Sequence, residues 1–148
     1  MKFTAAVLFL CLASCSAPVE PLMIKQFTLR DQETSVADDP MVQNEKLRRL
    51  HGAVSIEERK QRLGQYYAVL WNADAAAEKK IVFRYQQGAS GSRIKEMHRT
   101  LPTGSSSGKE EFSIIGDNYF KNGRVLAWKI DLTANGETIA SKQSYLWE

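Results

Sequence analysis

The sequence predicts a mainly β fold, a sandwich or barrel of antiparallel strands preceded by one or two short α-helices. Three observations carry this. After Gly64, apolar residues recur with a period of two in six successive segments, as in strands that bury one face. Asn135-Gly136 joins the last two of them, and both central positions of a type I′ hairpin turn need a positive φ, which Asn and Gly tolerate best. Before Gly64 stand two helix starts, Asp39-Pro40 and Ser55 with Glu58 three residues on.

The helices come first in the chain. Asp39 suits an N-cap and Pro40 the first helical position, so "MVQNEKLRRLH" is expected to continue as a helix until Gly52. Ser55 and Glu58 make a capping box, with Gly64 as the expected stop. Leu47 with Leu50, and Ile56 with Leu63, give each helix only a narrow apolar stripe. Both are therefore expected to lean on a larger body from its surface.

The strands follow. "QYYAVLW" places Tyr67, Val69 and Trp71 on one face, and "KIVFRYQ" does the same with Ile81, Phe83 and Tyr85. "SRIKEMHRTL" offers Ile94 or Met97 inward, "EFSII" comes next, and in "GRVLAWKIDL" Leu126, Trp128, Ile130 and Leu132 align. "ETIASKQSYLW" is the last. "GASGS" (88–92) reads as a turn between strands, and "TGSSSGKEE" (103–111) as a flexible loop. Tyr67, Trp71, Phe83 and Trp128 fall at core spacing and are expected to fill the interior.

With short strands in this order, a buried tryptophan and a C-terminal hairpin, residues 65–148 resemble immunoglobulin-like and fibronectin type III-like domains. The resemblance implies an immunoglobulin-like antiparallel β-sandwich without the inter-sheet cysteine pair of antibody domains. It implies no activity, since such sandwiches host many unrelated functions.

The N-terminal stretch carries an address. Lys2 gives a positive start, Phe3 to Leu12 an apolar run of about ten residues, and Ala13-Ser14 the small residues of a cleavage site. The run is too short to span a bilayer, which takes roughly 20 apolar residues. Leu12-Ala13-Ser14-Cys15 resembles the lipobox of bacterial lipoproteins. That resemblance implies acylation of Cys15, cleavage in front of it and, with Ser16 following, transfer to the outer membrane. Several acyl chains at ~0.8 kcal/mol per buried CH₂ would hold the protein to a leaflet. Cys11 would leave with the signal, so no disulfide, cysteine nucleophile or thiolate metal site is expected in the mature chain.

The expected organisation is a signal peptide at 1–14, a lipidated tether at 15–39, a helical segment at 40–64 and the sandwich at 65–148. A flexible tether of about 24 residues would reach ~25–30 Å. Within it "MIKQFTL" (23–29) alternates, and either adds a strand to the sheet or occupies a groove on it. The formal charge of +3, lowered by loss of Lys2, is too mild to imply nucleic acid.

Motifs of chemistry fail on spacing. Gly104 and Gly108 enclose three residues where a phosphate loop needs four, and Glu110 stands where its Ser or Thr belongs. "LPTG" (101–104) lacks one residue of a sortase signal, and "GASGS" is one residue short of a nucleophile elbow. His51 and His98 lack the close spacing of a zinc pair and read as solvated. No catalytic residue, metal or cofactor is expected.

Two surfaces remain as binding candidates. Lys46, Arg48, Arg49, Arg59, Lys60 and Arg62 outnumber Glu45, Glu57 and Glu58. Arg48 and Arg49 would meet anionic headgroups or an acidic partner, unless the residues form an ordinary helix face with internal ion pairs. Among Tyr119, Phe120, Tyr145 and Trp147, Tyr145 and Trp147 would share a face at the chain's end. The expectation is a non-enzymatic, lipid-anchored envelope protein that binds another protein; the alternative is a glycan- or cell-wall-binding module using the late aromatics.

Overall fold

A computed structural model of the chain describes residues 20–33 and 38–147. The alternating segments pair into two antiparallel sheets. The first contains β1 (Leu22–Leu29), β2 (Gly64–Asn72) and β5 (Ser107–Ile115), in the order β1-β2-β5. The second contains β3 (Lys79–Gln87), β4 (Lys95–Thr100), β6 (Val125–Ala134) and β7 (Glu137–Gln143), in the order β4-β3-β6-β7. Their inner faces meet in a sandwich-like core. Phe83 lies 4.8 Å from Tyr67 and 5.3 Å from Phe112, ring to ring across the sheets. Trp71, Ile81, Ile114, Ile130 and Leu132 are buried around them, and Trp128 packs its edge on Tyr67 at 5.7 Å. The hairpin between β6 and β7 has Asn135 at φ 51° and Gly136 at φ 85°, the signs a type I′ turn requires.

Residues 22–29, placed by the sequence within the tether, form β1, paired with β2 along its full length from Leu22 opposite Trp71 to Leu29 opposite Gly64. Of the two options for this alternating stretch, the structure takes the strand.

The helices form as their caps dictate. Asp39 accepts the Met41 N–H at 2.8 Å and starts α1 (Pro40–Leu50). Ser55 and Glu58 complete a reciprocal capping box at the start of α2 (Ile56–Lys60). The helix ends before Gly64, however, with Gln61 as C-cap. Gly64 instead opens β2 at φ 144°, where β5 passes so close that a Cβ would collide with the Ile114 carbonyl oxygen. The expected apolar stripes also give way. Leu47 and Ile56 are exposed, while α1 meets the outer face of the first sheet through buried Arg49, and buried Lys46 ties the helix to Asp31, just past β1. Leu50 and Leu63 do turn inward, forming with Leu29 and Tyr66 a small second core.

Two strand assignments shift, and one open choice is settled. Leu126 does not align with Trp128: the β3–β6 register slips between Gln86 and Gln87, Val125 takes the inward place and Leu126 bulges out. Of Ile94 and Met97, Met97 packs on the core, and Ile94 precedes β4. The loop expected at 103–111 is shorter, because β5 begins at Ser107. At its start Gly108 lies against the Trp71 ring, so close that a Cβ would come within 2.7 Å of it. The segment between "EFSII" and "GRVLAW" forms α3 (Gly116–Asn122), which carries the chain from one sheet to the other. Buried Gln87 holds it there, donating to the carbonyl oxygens of Asn118 (3.2 Å) and Gly123 (2.9 Å).

Candidate functional site

Strand parity leads to the site. On the inner face of β1, Leu22, Ile24, Gln26 and Thr28 stand opposite Trp71, Val69, Tyr67 and Gln65. Leu22 and Ile24 join the core. Gln26, Thr28 and Gln65 are polar, and polar groups cannot be sealed between apolar sheets without a cost of several kcal/mol each. At this end the sandwich stays open as a pocket of about 460 Å³.

Both sheets build it. Gln65 is buried and bridges them: its Oε1 accepts the Val125 N–H at 2.6 Å, and its Nε2 donates to the Tyr67 hydroxyl at 3.4 Å. The bulge in β6 brings Leu126 to the mouth, and α3 supplies half-buried Tyr119. Arg30, just past β1, and Arg124, just before β6, also line it. Both are exposed, and among the described residues neither side chain has an ion pair or hydrogen bond. The arrangement offers two guanidinium groups, two amides and a hydroxyl beside an apolar wall, which are groups for holding a ligand.

The C-terminal residues close one side. β7 stops at Gln143, and residues 144–147 turn back. The Ser144 N–H donates to the Trp128 carbonyl at 2.8 Å, the Trp128 N–H to Ser144 Oγ at 2.9 Å, and the Trp147 N–H to the Ser144 carbonyl at 3.1 Å. Tyr145 and Trp147 therefore do not project from one strand face. Tyr145 is 99% exposed, Leu146 lines the pocket, and Trp147 is half-buried.

Arg48 and Arg49 lie elsewhere, on α1 over the outer face of the first sheet. Arg49 bonds Glu45 and Glu111, and its guanidinium sits 4.0 Å above the Tyr66 ring. Arg48 is half-exposed and paired with Glu45 at 2.6 Å. The Arg48 hydrogen bond, with help from Arg49, holds the Glu45 carboxyl below its ordinary range. These are the internal ion pairs of a helix face, and Arg49 works as a clamp between helix and sheet. Beside them lies a groove of about 340 Å³ floored by Phe27, Val42 and Ala68, with Lys25 and Lys109 on its rim.

His51 and His98 are exposed, and among the described residues no group of three or more His, Cys, Asp or Glu side chains converges to hold a metal. None of the described helices is long and apolar enough to cross a membrane. Cys15 and the signal segment lie outside the described residues. The pocket residues Gln26, Thr28, Gln65, Arg30 and Arg124 escaped sequence reasoning, although polar residues on the inward phase of "MIKQFTL" were a signal for them. Compared with protein-family models, curated proteins and solved structures, the chain matches none.

Proposed function

We propose that the chain is a bacterial envelope lipoprotein, anchored through Cys15 to the outer membrane, whose immunoglobulin-like sandwich binds another protein and catalyses no reaction. The observation that carries the binding role is the pocket itself: an open end of the sandwich whose inward-facing strand positions are occupied by the polar residues Gln26, Thr28 and Gln65. The lipobox supports the anchor. The strand orders support the immunoglobulin-like reading, because lettering β1 to β7 as A, B, C, C′, E, F and G gives an A-B-E sheet facing a C′-C-F-G sheet.

The anchor would be short. With β1 starting at Leu22, a lipidated Cys15 stands seven residues from the sheet, a reach of at most ~25 Å at about 3.5 Å per residue. The domain would sit against the leaflet by its Leu22 end, leaving the pocket, at the other end of β1, for a partner.

Mass spectrometry of the mature N-terminus tests the anchor: a triacylated or diacylated Cys15 is expected, and an unmodified Cys15 sinks it. Affinity purification from detergent-solubilised envelopes is expected to recover a stoichiometric protein. The second reading, glycan binding, is favoured by Tyr145, wholly exposed beside the pocket's Leu146. Retention on a cell-wall polysaccharide column, lost in Tyr145→Ala or Trp147→Ala, would replace the first reading with the second.

A further inference from the structure

We infer that the end pocket is a receptor for a carboxylate on an apolar stem, an acidic side chain or chain terminus of a partner protein; this rests on the reading of the protein as a protein-binding module. Arg30 and Arg124 reach the pocket from opposite sheets, and among the described residues no carboxylate neutralises either one. A planar guanidinium matches a carboxylate with two parallel N–H···O bonds, more strongly than neutral donors do. Gln26, Thr28 and Gln65 line the same pocket with further donors. The Gln65 amide is the best placed, since its N–H₂ group has only the long 3.4 Å contact to Tyr67.

The apolar wall selects among anions. Leu126, Leu146 and Tyr119 line the same pocket, so a carboxylate carried on methylenes gains from burial where a bare phosphate gains nothing. The volume of about 460 Å³ is that of a site for one or two side chains. A lipid headgroup is the poorer occupant. An anchored chain leaves from Leu22, and the pocket begins at Gln26, roughly 13 Å along β1 at about 3.3 Å per residue, and extends past Thr28, at roughly 20 Å.

Titration of the ¹⁵N-labelled full chain in detergent micelles with acetyl-Leu-Glu-amide tests this. The amides of Thr28, Gln65 and Val125 are expected to shift together and saturate, with acetyl-Leu-Gln-amide binding at least about threefold more weakly. Arg30→Gln or Arg124→Gln alone weakens binding about two- to fivefold, as for exposed ion pairs, and the double variant about tenfold. Lys109→Gln, outside the pocket, leaves it unchanged. Spectra of the variants without ligand report that the fold persists. The proposal is overturned by the absence of any shift, by equal binding of the two dipeptides, or by full affinity in the double variant. It is equally overturned if inorganic phosphate or glucuronate displaces the dipeptide at equal concentration. An unmodified Cys15 would sink the anchor and leave this titration standing.

Discussion

The Arg49 guanidinium is sandwiched between the Tyr66 ring, 4.0 Å below it, and the carboxylates of Glu45 and Glu111. It joins α1 to β2 and β5 where Leu47 faces solvent and, of the expected apolar stripe, only Leu50 packs inward. A nearly buried cation held by carboxylates and a ring is expected to matter more than its half-exposed neighbour.

Arg49→Met keeps the length of the side chain and loses its bonds. It is expected to lower stability by about 2 kcal/mol, the scale of a lost charged hydrogen bond with a partner left unpaired, and to release the α1 amides to hydrogen exchange. Arg48→Met, at an exposed pair, is expected to change stability by less than about 1 kcal/mol. Equal losses in urea titrations would overturn the clamp.

Lys79 presents a second buried cation with a different duty. Its ammonium, in a residue only 1% exposed, donates to the carbonyl oxygens of Asp74 (2.9 Å), Ala75 (3.1 Å) and Ala77 (3.0 Å). All three hydrogens are used, and the loop between β2 and β3 is wound around them. Lys79→Met leaves three carbonyls without that donor, and a loss of about 2–4 kcal/mol is expected by thermal or urea unfolding. A loss under about 1 kcal/mol would mean that water replaces the ammonium freely.

Gly64 is a backbone prediction. At φ 144°, a Cβ there would lie 2.8 Å from Ile115 Cα and closer still to the Ile114 carbonyl oxygen, both backbone atoms that cannot step aside. Gly64→Ala is therefore expected to cost more than about 4 kcal/mol or to prevent folding. Gly104, at φ 84° with nothing within 4 Å of its absent Cβ, gives the control: Gly104→Ala is expected to cost about 1–2 kcal/mol, the left-handed backbone penalty alone. Similar losses would show that close approach at Gly64 is not the constraint.

The contrast between Gly64 and Asn135-Gly136 also shows what could be read beforehand. The hairpin, the two N-caps and the inward sets Tyr67-Val69-Trp71 and Ile81-Phe83-Tyr85 are local patterns, and local patterns survive into the fold. What depends on a neighbour distant in sequence did not announce itself. Gly64 looked like a helix stop because its crowding comes from Ile114, and Leu126 looked aligned because the bulge arises from pairing with Gln86 and Gln87. The pocket was half legible. Gln26 and Thr28 occupy inward phases of an alternating stretch, yet they become a site only once β1 is seated opposite Tyr67 and Gln65.

The phenol of Tyr67, wholly buried in the core, yields a pH dependence. Burial pushes its pKa far above the ordinary value near 10. The folded-state pKa is raised, so its contribution is fully present below the unfolded pKa and is lost as pH rises from about 10 through the folded value. In that window the unfolded chain sheds a proton that the folded one keeps, and stability falls by about 1.4 kcal/mol per pH unit for this one group. Burial raises Tyr66 as well, and the hydrogen bonds that Lys46 donates to Asp31 and Asp38 raise Lys46, both with the same sign. Tyr67→Phe removes one of these contributions while giving up only the long Gln65 contact. Urea titrations at pH 7 and at several values above 10 are expected to show near-native stability at pH 7 and a shallower alkaline decline in the variant. An unchanged alkaline slope would mean that Tyr67 ionises in the folded protein, and hence that this part of the core admits water.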